Sequence, residues 1–266
     1  MSESPIELRE GRVWVEARVS GHSLWGIFDT GSDGTAIDSD FAQSIRLSSQ
    51  GWKSGTTVAG NVEVEGVGTV EFDIGGTVLS TSEANALPLS KQLKGLEFIL
   101  GFDALKNSPF VIWPEKRRVV FGSFEDTGGF AFALDGDIRP TATLEILGAS
   151  SYAFLDTGSA QGISLPRRWV NDHAERLGIS TRAAESKKIL DSKYESLKFT
   201  LEEMTLGNST LTNVPAEAVE SDKGSFAEQS SFWGNVGNLV LQRFESIAID
   251  GRKRRLAFDQ QSALEQ

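Results

Sequence analysis

A mainly β chain built as two similar halves is what the sequence predicts, and three observations predict it. The tetrapeptide Asp-Thr-Gly-Ser occurs twice, as Asp29-Thr30-Gly31-Ser32 and as Asp156-Thr157-Gly158-Ser159. Each copy follows an apolar strand, a tight turn and a second apolar strand. Each half then ends in a hairpin with a basic turn. By ordinary residue frequencies two copies of the tetrapeptide would arise by accident in roughly one chain in 10⁵, so the halves are read as one unit repeated.

The elements follow in order. Val13-Trp14-Val15-Glu16-Ala17-Arg18-Val19 reads as a strand, Gly21-His22-Ser23 as a turn, and Leu24-Trp25-Gly26-Ile27-Phe28 as a strand that delivers Asp29 at its end. The second copy repeats the plan with Thr141 to Leu147, a Gly148-Ala149-Ser150 turn, and Tyr152 to Leu155 leading into Asp156. A helix is expected after each motif, from about Ser39 to Ile45 and from about Pro166 to Leu177, where Pro166 suits a first helical turn. Thr56 to Val64 reads as a hairpin with Gly60-Asn61 at its tip. Its counterpart is Lys188 to Tyr194, because the strands that follow, Thr69 to Gly76 and Lys198 to Gly207, match. Phe98 to Leu105 corresponds to Trp233 to Leu241, and the closing hairpins are Phe110 to Phe121 and Ser246 to Phe258. The repeats lie 127 residues apart at Asp29 and Asp156, 136 at Gly101 and Gly237, and 137 at Phe121 and Phe258. A single insertion in the second half accounts for the change.

Composition sets bounds. At 266 residues the chain divides into lobes over 1–128 and 129–266, each long enough to bury a core. No apolar run is long enough for a bilayer, so no membrane partner is expected. The absence of cysteine excludes disulfides and thiolate metal sites. A net charge of −11 opposes nucleic-acid binding. The basic runs Lys116-Arg117-Arg118 and Arg252-Lys253-Arg254-Arg255 occupy matching turns, where solvated charge is expected. The segment Met1 to Glu7 has neither a positive n-region nor an apolar h-region, which predicts a cytoplasmic location, or a secreted or periplasmic one if the chain was trimmed. His22 and His173, the two histidines, neighbour no serine or cysteine pattern of a triad, and no metal is expected. Asn208-Ser209-Thr210 matches a glycosylation sequon and reads as a polar turn.

From about residue 11 to residue 259 the chain resembles the aspartic peptidases of the pepsin and retropepsin clan. Asp-Thr-Gly-Ser there supplies the catalytic aspartate, and a later hydrophobic-hydrophobic-Gly element, here Ile99-Leu100-Gly101, packs behind it. The resemblance implies two retropepsin-like β-barrel lobes related by pseudo-twofold symmetry, with the catalytic cleft between them. It implies an aspartic endopeptidase acting on peptides or unfolded proteins as a monomer, with Asp29 and Asp156 catalytic and no cofactor. Two carboxylates held close cannot both ionise cheaply, so the pair titrates as a unit, one member acting as base toward water and the other as acid. By the same resemblance Thr30 and Thr157 bond across the lobes. Gly31 and Gly158 allow a close backbone approach to each carboxylate. Ser32 and Ser159 place hydroxyls near the aspartates, which would favour ionisation and give an acidic pH optimum. Val58, Ala59, Gly60 and Asn61 would form a substrate-covering flap.

The chain departs from the clan's pattern in two places. Asn235-Val236-Gly237 carries Asn where an apolar residue is expected, and the first half has no tyrosine, so the flap tyrosine of pepsins is missing. Two flaps, as in retropepsin dimers, fit this better. The alternative function is a catalytically silent bilobal peptide-binding module. Such a module would be expected to lose an aspartate or its glycine, and this chain keeps both pairs.

Overall fold

Alternation of apolar and polar side chains organises the fold. Along Arg12–Val19 the residues Val13, Val15, Ala17 and Val19 are buried, while Glu16 and Arg18 face out, as a pleated strand with one face on a core requires. The computed structural model describes residues 1–57, 60–122, 130–131, 139–179, 185–189, 192–220 and 233–260.

In the first half the elements are β1 (Ser2–Arg9), β2 (Arg12–Val19), β3 (His22–Phe28), β4 (Ala36–Asp38), α1 (Ser39–Ser44) and β5 (Trp52–Thr57). They continue with β6 (Gly60–Ile74), β7 (Thr77–Leu87), α2 (Leu89–Gln92), β8 (Phe98–Leu100), α3 (Phe102–Leu105), β9 (Phe110–Trp113) and β10 (Arg118–Phe121). The second half has β11 (Phe130–Ala131), β12 (Thr141–Ile146), β13 (Ala149–Leu155), β14 (Ile163–Pro166), α4 (Arg167–Asp172) and β15 (Glu185–Ile189). It ends with β16 (Ser192–Leu206), β17 (Ser209–Glu220), β18 (Gly234–Val236), α5 (Asn238–Leu241), β19 (Phe244–Asp250) and β20 (Arg255–Gln260). The chain is mainly β.

The two halves share a connectivity. One set of strands runs in the order β2-β3-β8-β4-β7-β6-β5, the other β12-β13-β18-β14-β17-β16-β15. A further pairing of β2 with β6, and of β12 with β16, closes a ring of six strands in each set, which leaves no open edge within the ring. Strands from both halves also meet in one sheet, ordered β11-β20-β19-β9-β10-β1. At its centre Ile247, Ala248 and Ile249 pair antiparallel with Ile112, Val111 and Phe110. β1 serves two neighbours, with Ser2 to Pro5 on β10 and Ile6 to Arg9 on β2.

One large apolar cluster runs through both halves and includes Phe28, Phe72, Phe98, Leu144, Leu165 and Phe244. A smaller one gathers Trp14, Ile27, Ala36, Leu89 and Leu96 on the other face of β3. The helix expected from Pro166 to Leu177 is shorter than the sequence suggests, ending at Asp172, with Pro166 as its cap. The ring of His173 stacks on Trp169 and its Nδ1 lies 2.8 Å from the Trp169 carbonyl oxygen, which ties the ring back onto that helix. Among the described residues no helix is long and apolar enough to cross a membrane.

Candidate active site

The middle strand of each ring sets the position of its motif. β8 pairs in parallel with β3, with Phe28 opposite Leu100, and the Asp29 N–H donates to the Leu100 carbonyl at 3.0 Å. β18 does the same beside β13, with Leu155 opposite Val236, and the Asp156 N–H donates to the Val236 carbonyl at 2.9 Å. Each aspartate therefore emerges where a strand ends and its supporting element turns away.

The two loops meet through their threonines. The Thr30 N–H donates to Thr157 Oγ1 at 3.0 Å, and the Thr157 N–H donates to Thr30 Oγ1 at 3.2 Å. Each hydroxyl also donates to a carbonyl of the other half, Thr30 to Leu155 at 2.6 Å and Thr157 to Phe28. Both threonines are buried. The exchange satisfies buried donors that would otherwise be stranded in the interior.

Behind this lock the glycines decide how close the carboxyls come. A β-carbon on Gly31 would lie 2.3 Å from the Asp156 carboxyl carbon, and one on Gly158 would lie 2.3 Å from Asp29 Oδ2. The close approach expected at these glycines is thus to the opposite carboxyl. Each carboxyl therefore lies against the opposite loop, which makes Asp29 and Asp156 close neighbours. Burial, and then the neighbouring Asp156 charge, hold the Asp29 carboxyl well above the usual carboxylate range, while the Gly31 and Ser32 N–H groups oppose this.

The environments of the two carboxyls differ. Asp29 Oδ1 accepts the N–H groups of Gly31 and Ser32 at 2.9 and 3.0 Å. Asp156 Oδ2 accepts the side-chain amide of Asn235 at 2.7 Å. Asn238 steadies the second loop, its Nδ2 donating to the carbonyls of Thr157 and Gly11 at 2.7 and 2.9 Å. Arg139 reaches the first loop from the other half, donating to the Gly31 carbonyl at 3.3 Å with its guanidinium 4.0 Å above the Phe154 ring.

Two expectations need correction. The serine hydroxyls are not on the aspartates. Ser32 Oγ donates to the Gly34 carbonyl at 2.7 Å and Ser159 Oγ accepts the Gln161 N–H at 3.3 Å, because each hydroxyl satisfies its own loop's backbone. Gly60 and Asn61 are not a hairpin tip. They belong to β6 and pair with Thr57 and Thr56, so the connection is residues 58–59, and Val58 and Ala59 lie outside the described residues. The second hairpin has the same form, with Ile189 opposite Ser192.

Asn238 and Arg139 were not singled out from the sequence. The repeat held a signal for both, since their mates in the first half are Phe102 and Arg12.

Residues 15–104 match a family model described as aspartyl protease. The matched aspartyl-protease stretch runs from β2 into α3 and carries Asp29, Thr30, Gly31 and Ser32. That third of the chain is similar to aspartyl proteases. The second motif at Asp156 lies beyond the match. No curated protein matches the chain.

Proposed function

We propose that the chain is a single-chain aspartic endopeptidase whose two retropepsin-sized lobes, 1–128 and 129–266, are related by a pseudo-twofold axis and form the cleft between them. The observation that carries this is the reciprocal contact of the two motifs, in which each glycine makes room for the other half's carboxyl. The central sheet supports the axis. Phe110, Val111 and Ile112 are the repeat mates of Ile247, Ala248 and Ile249, and their antiparallel register is centred on the Val111–Ala248 pair.

In this reading Asp29 and Asp156 hold one proton between them. The ionised carboxylate takes a proton from a water that attacks the peptide carbonyl, and the protonated one stabilises the oxyanion and then supplies the leaving amine. Burial and the neighbouring carboxyl favour keeping a proton on the pair. The upper limit of the singly protonated state then lies above the ordinary carboxylate range. An extended peptide would lie along the cleft under the β5–β6 hairpin, which would serve as the flap. Both motifs lie in one chain, so a monomer is the active form.

The test is cleavage of an unstructured protein by the wild type and by Asp29→Asn and Asp156→Asn, each checked for fold by circular dichroism. Both variants should lose turnover, because the remaining carboxyl cannot be base and acid in one cycle. Near-wild-type cleavage by either folded variant would sink the assignment.

A further inference from the structure

The repeat makes the two carboxyls equivalent in motif, yet the site they occupy is unequal at one side chain. Where β8 carries Ile99, packed against the apolar cluster around Trp14, β18 carries Asn235. Asn235 lies in the middle strand between Phe154 and Ser164 and is 9 % exposed. An amide in so enclosed a place is costly unless its hydrogen-bonding capacity is used. Asn235 uses it on Asp156 Oδ2.

We propose that Asn235 is a positioning residue that gives the two carboxyls different tasks, its amide holding Asp156 as the anion that deprotonates water and leaving Asp29 as the acid. The proposal rests on the peptidase reading for its mechanistic meaning. Its physical content is that a charge-assisted donor favours the anion it faces. Among the described residues no side-chain amide meets Asp29 in this way, and Asp29 Oδ1 accepts N–H groups of its own loop. The Arg139 guanidinium, the charged group seen on the first loop, is held on the Gly31 carbonyl. The proton that Asp156 takes from water ends on the leaving amine by way of the pair, so the cycle closes without another reactant.

The test reads the titration of the pair directly. Carboxyl ¹³C resonances of Asp29 and Asp156, assigned through Asp29→Asn and Asp156→Asn, are followed with pH in the wild type and in Asn235→Leu, which keeps the size and loses the donor. In the wild type Asp156 should ionise first. In Asn235→Leu the lower macroscopic pKa of the pair should rise by about one unit, and the order of ionisation should equalise or reverse. Asn235→Asp preserves the shape and puts a third carboxyl beside Asp156, so it should raise that value further and serves if the leucine variant does not fold. Where turnover is present, the acid limb of kcat/KM should move with the titration. A residue that only fills space would change KM or stability and leave that limb in place.

An unchanged lower pKa with unchanged order overturns the proposal, whether or not the protein cleaves peptides. A wild-type protein that cleaves nothing overturns the peptidase reading instead. The NMR titration still decides the role of Asn235.

Discussion

The threonine lock offers the most direct test of how the two loops are held together. Thr30→Val keeps the shape of the side chain and removes its hydroxyl. Two buried groups then lose partners, the Thr157 N–H, which donated at 3.2 Å, and the Leu155 carbonyl, which accepted at 2.6 Å. Each stranded group costs about 1–3 kcal/mol, so the variant should lose about 2–6 kcal/mol. That is a large part of the roughly 5–15 kcal/mol that holds a folded domain. By the exchange of roles Thr157→Val strands the Thr30 N–H and the Phe28 carbonyl and should cost a similar amount. The two hydroxyl oxygens lie 3.3 Å apart, so the double variant should fall short of the sum by a coupling of about 0.5–3 kcal/mol. Urea unfolding followed by the fluorescence of the six tryptophans and by circular dichroism gives these values, provided the two probes coincide. A loss below about 1 kcal/mol for both single variants would show that water or a relaxed backbone replaces the hydroxyls, and the lock would not be what joins the loops.

Other outcomes follow from the same geometry. Gly31→Ala and Gly158→Ala should each cost about 1–3 kcal/mol through crowding. Each should also lower kcat/KM about 10²-fold, since the added methyl lands on the opposite carboxyl; wild-type kinetics in either would show that the loops can separate freely. Asp29→Asn should be more stable than the wild type at pH 7. The raised folded-state pKa of Asp29 means that its stabilising contribution is full below the ordinary carboxylate pKa, about pH 4, and declines as pH rises from there to the raised folded-state pKa, by about 1.4 kcal/mol per unit of elevation. Urea midpoints at pH 4 and pH 7 should show the gain shrinking at the lower pH, and a gain independent of pH would contradict the burial argument. Specific activity should not fall on dilution if one chain holds the whole site; a loss at low concentration, with a dimer in sedimentation, would transfer the site to two chains.

What was legible in the sequence was the part that depends on local pattern. Alternation from Val13 to Val19 and the turn at Gly21 foretold β2 and β3, and the expected Ser39 to Ile45 helix differs from α1 by one residue. Elements made by distant partners were not visible. β1 contains Pro5 and alternates poorly, and it is a strand because β10 and β2 pair with its two ends. β4 and β14 are short, and their pairing with β8 and β18 gives them extended form. At the site, the repeated motif foretold which side chains meet but not where each hydroxyl points. The hydroxyls of Ser32 and Ser159 bond to the backbone of their own loops. The Asn in an otherwise apolar element was visible as an exception, and its meaning needed the 2.7 Å contact.

The differences between the halves have a physical order. Residues that join the two loops are alike, since Thr30 and Thr157 exchange equivalent bonds and Gly31 and Gly158 clear equivalent space. Residues one layer behind are unlike. The first loop is braced by Thr35, which donates to Asp103 Oδ1 at 2.7 Å and accepts the Gly101 N–H at 3.1 Å, and Thr81 donates to the other oxygen of Asp103. The repeat mates of Thr35 and Asp103 are Gly162 and Leu239, so this brace has no counterpart there. Asn238 does the bracing in the second half and ties Thr157 to Gly11 of the first. The proposed dyad, sharing one proton, would need symmetric placement to bring the carboxyls together and asymmetric surroundings to give one of them the proton. The threonines and glycines meet the first need, and Asn235, bonded to one carboxyl alone, bears on the second.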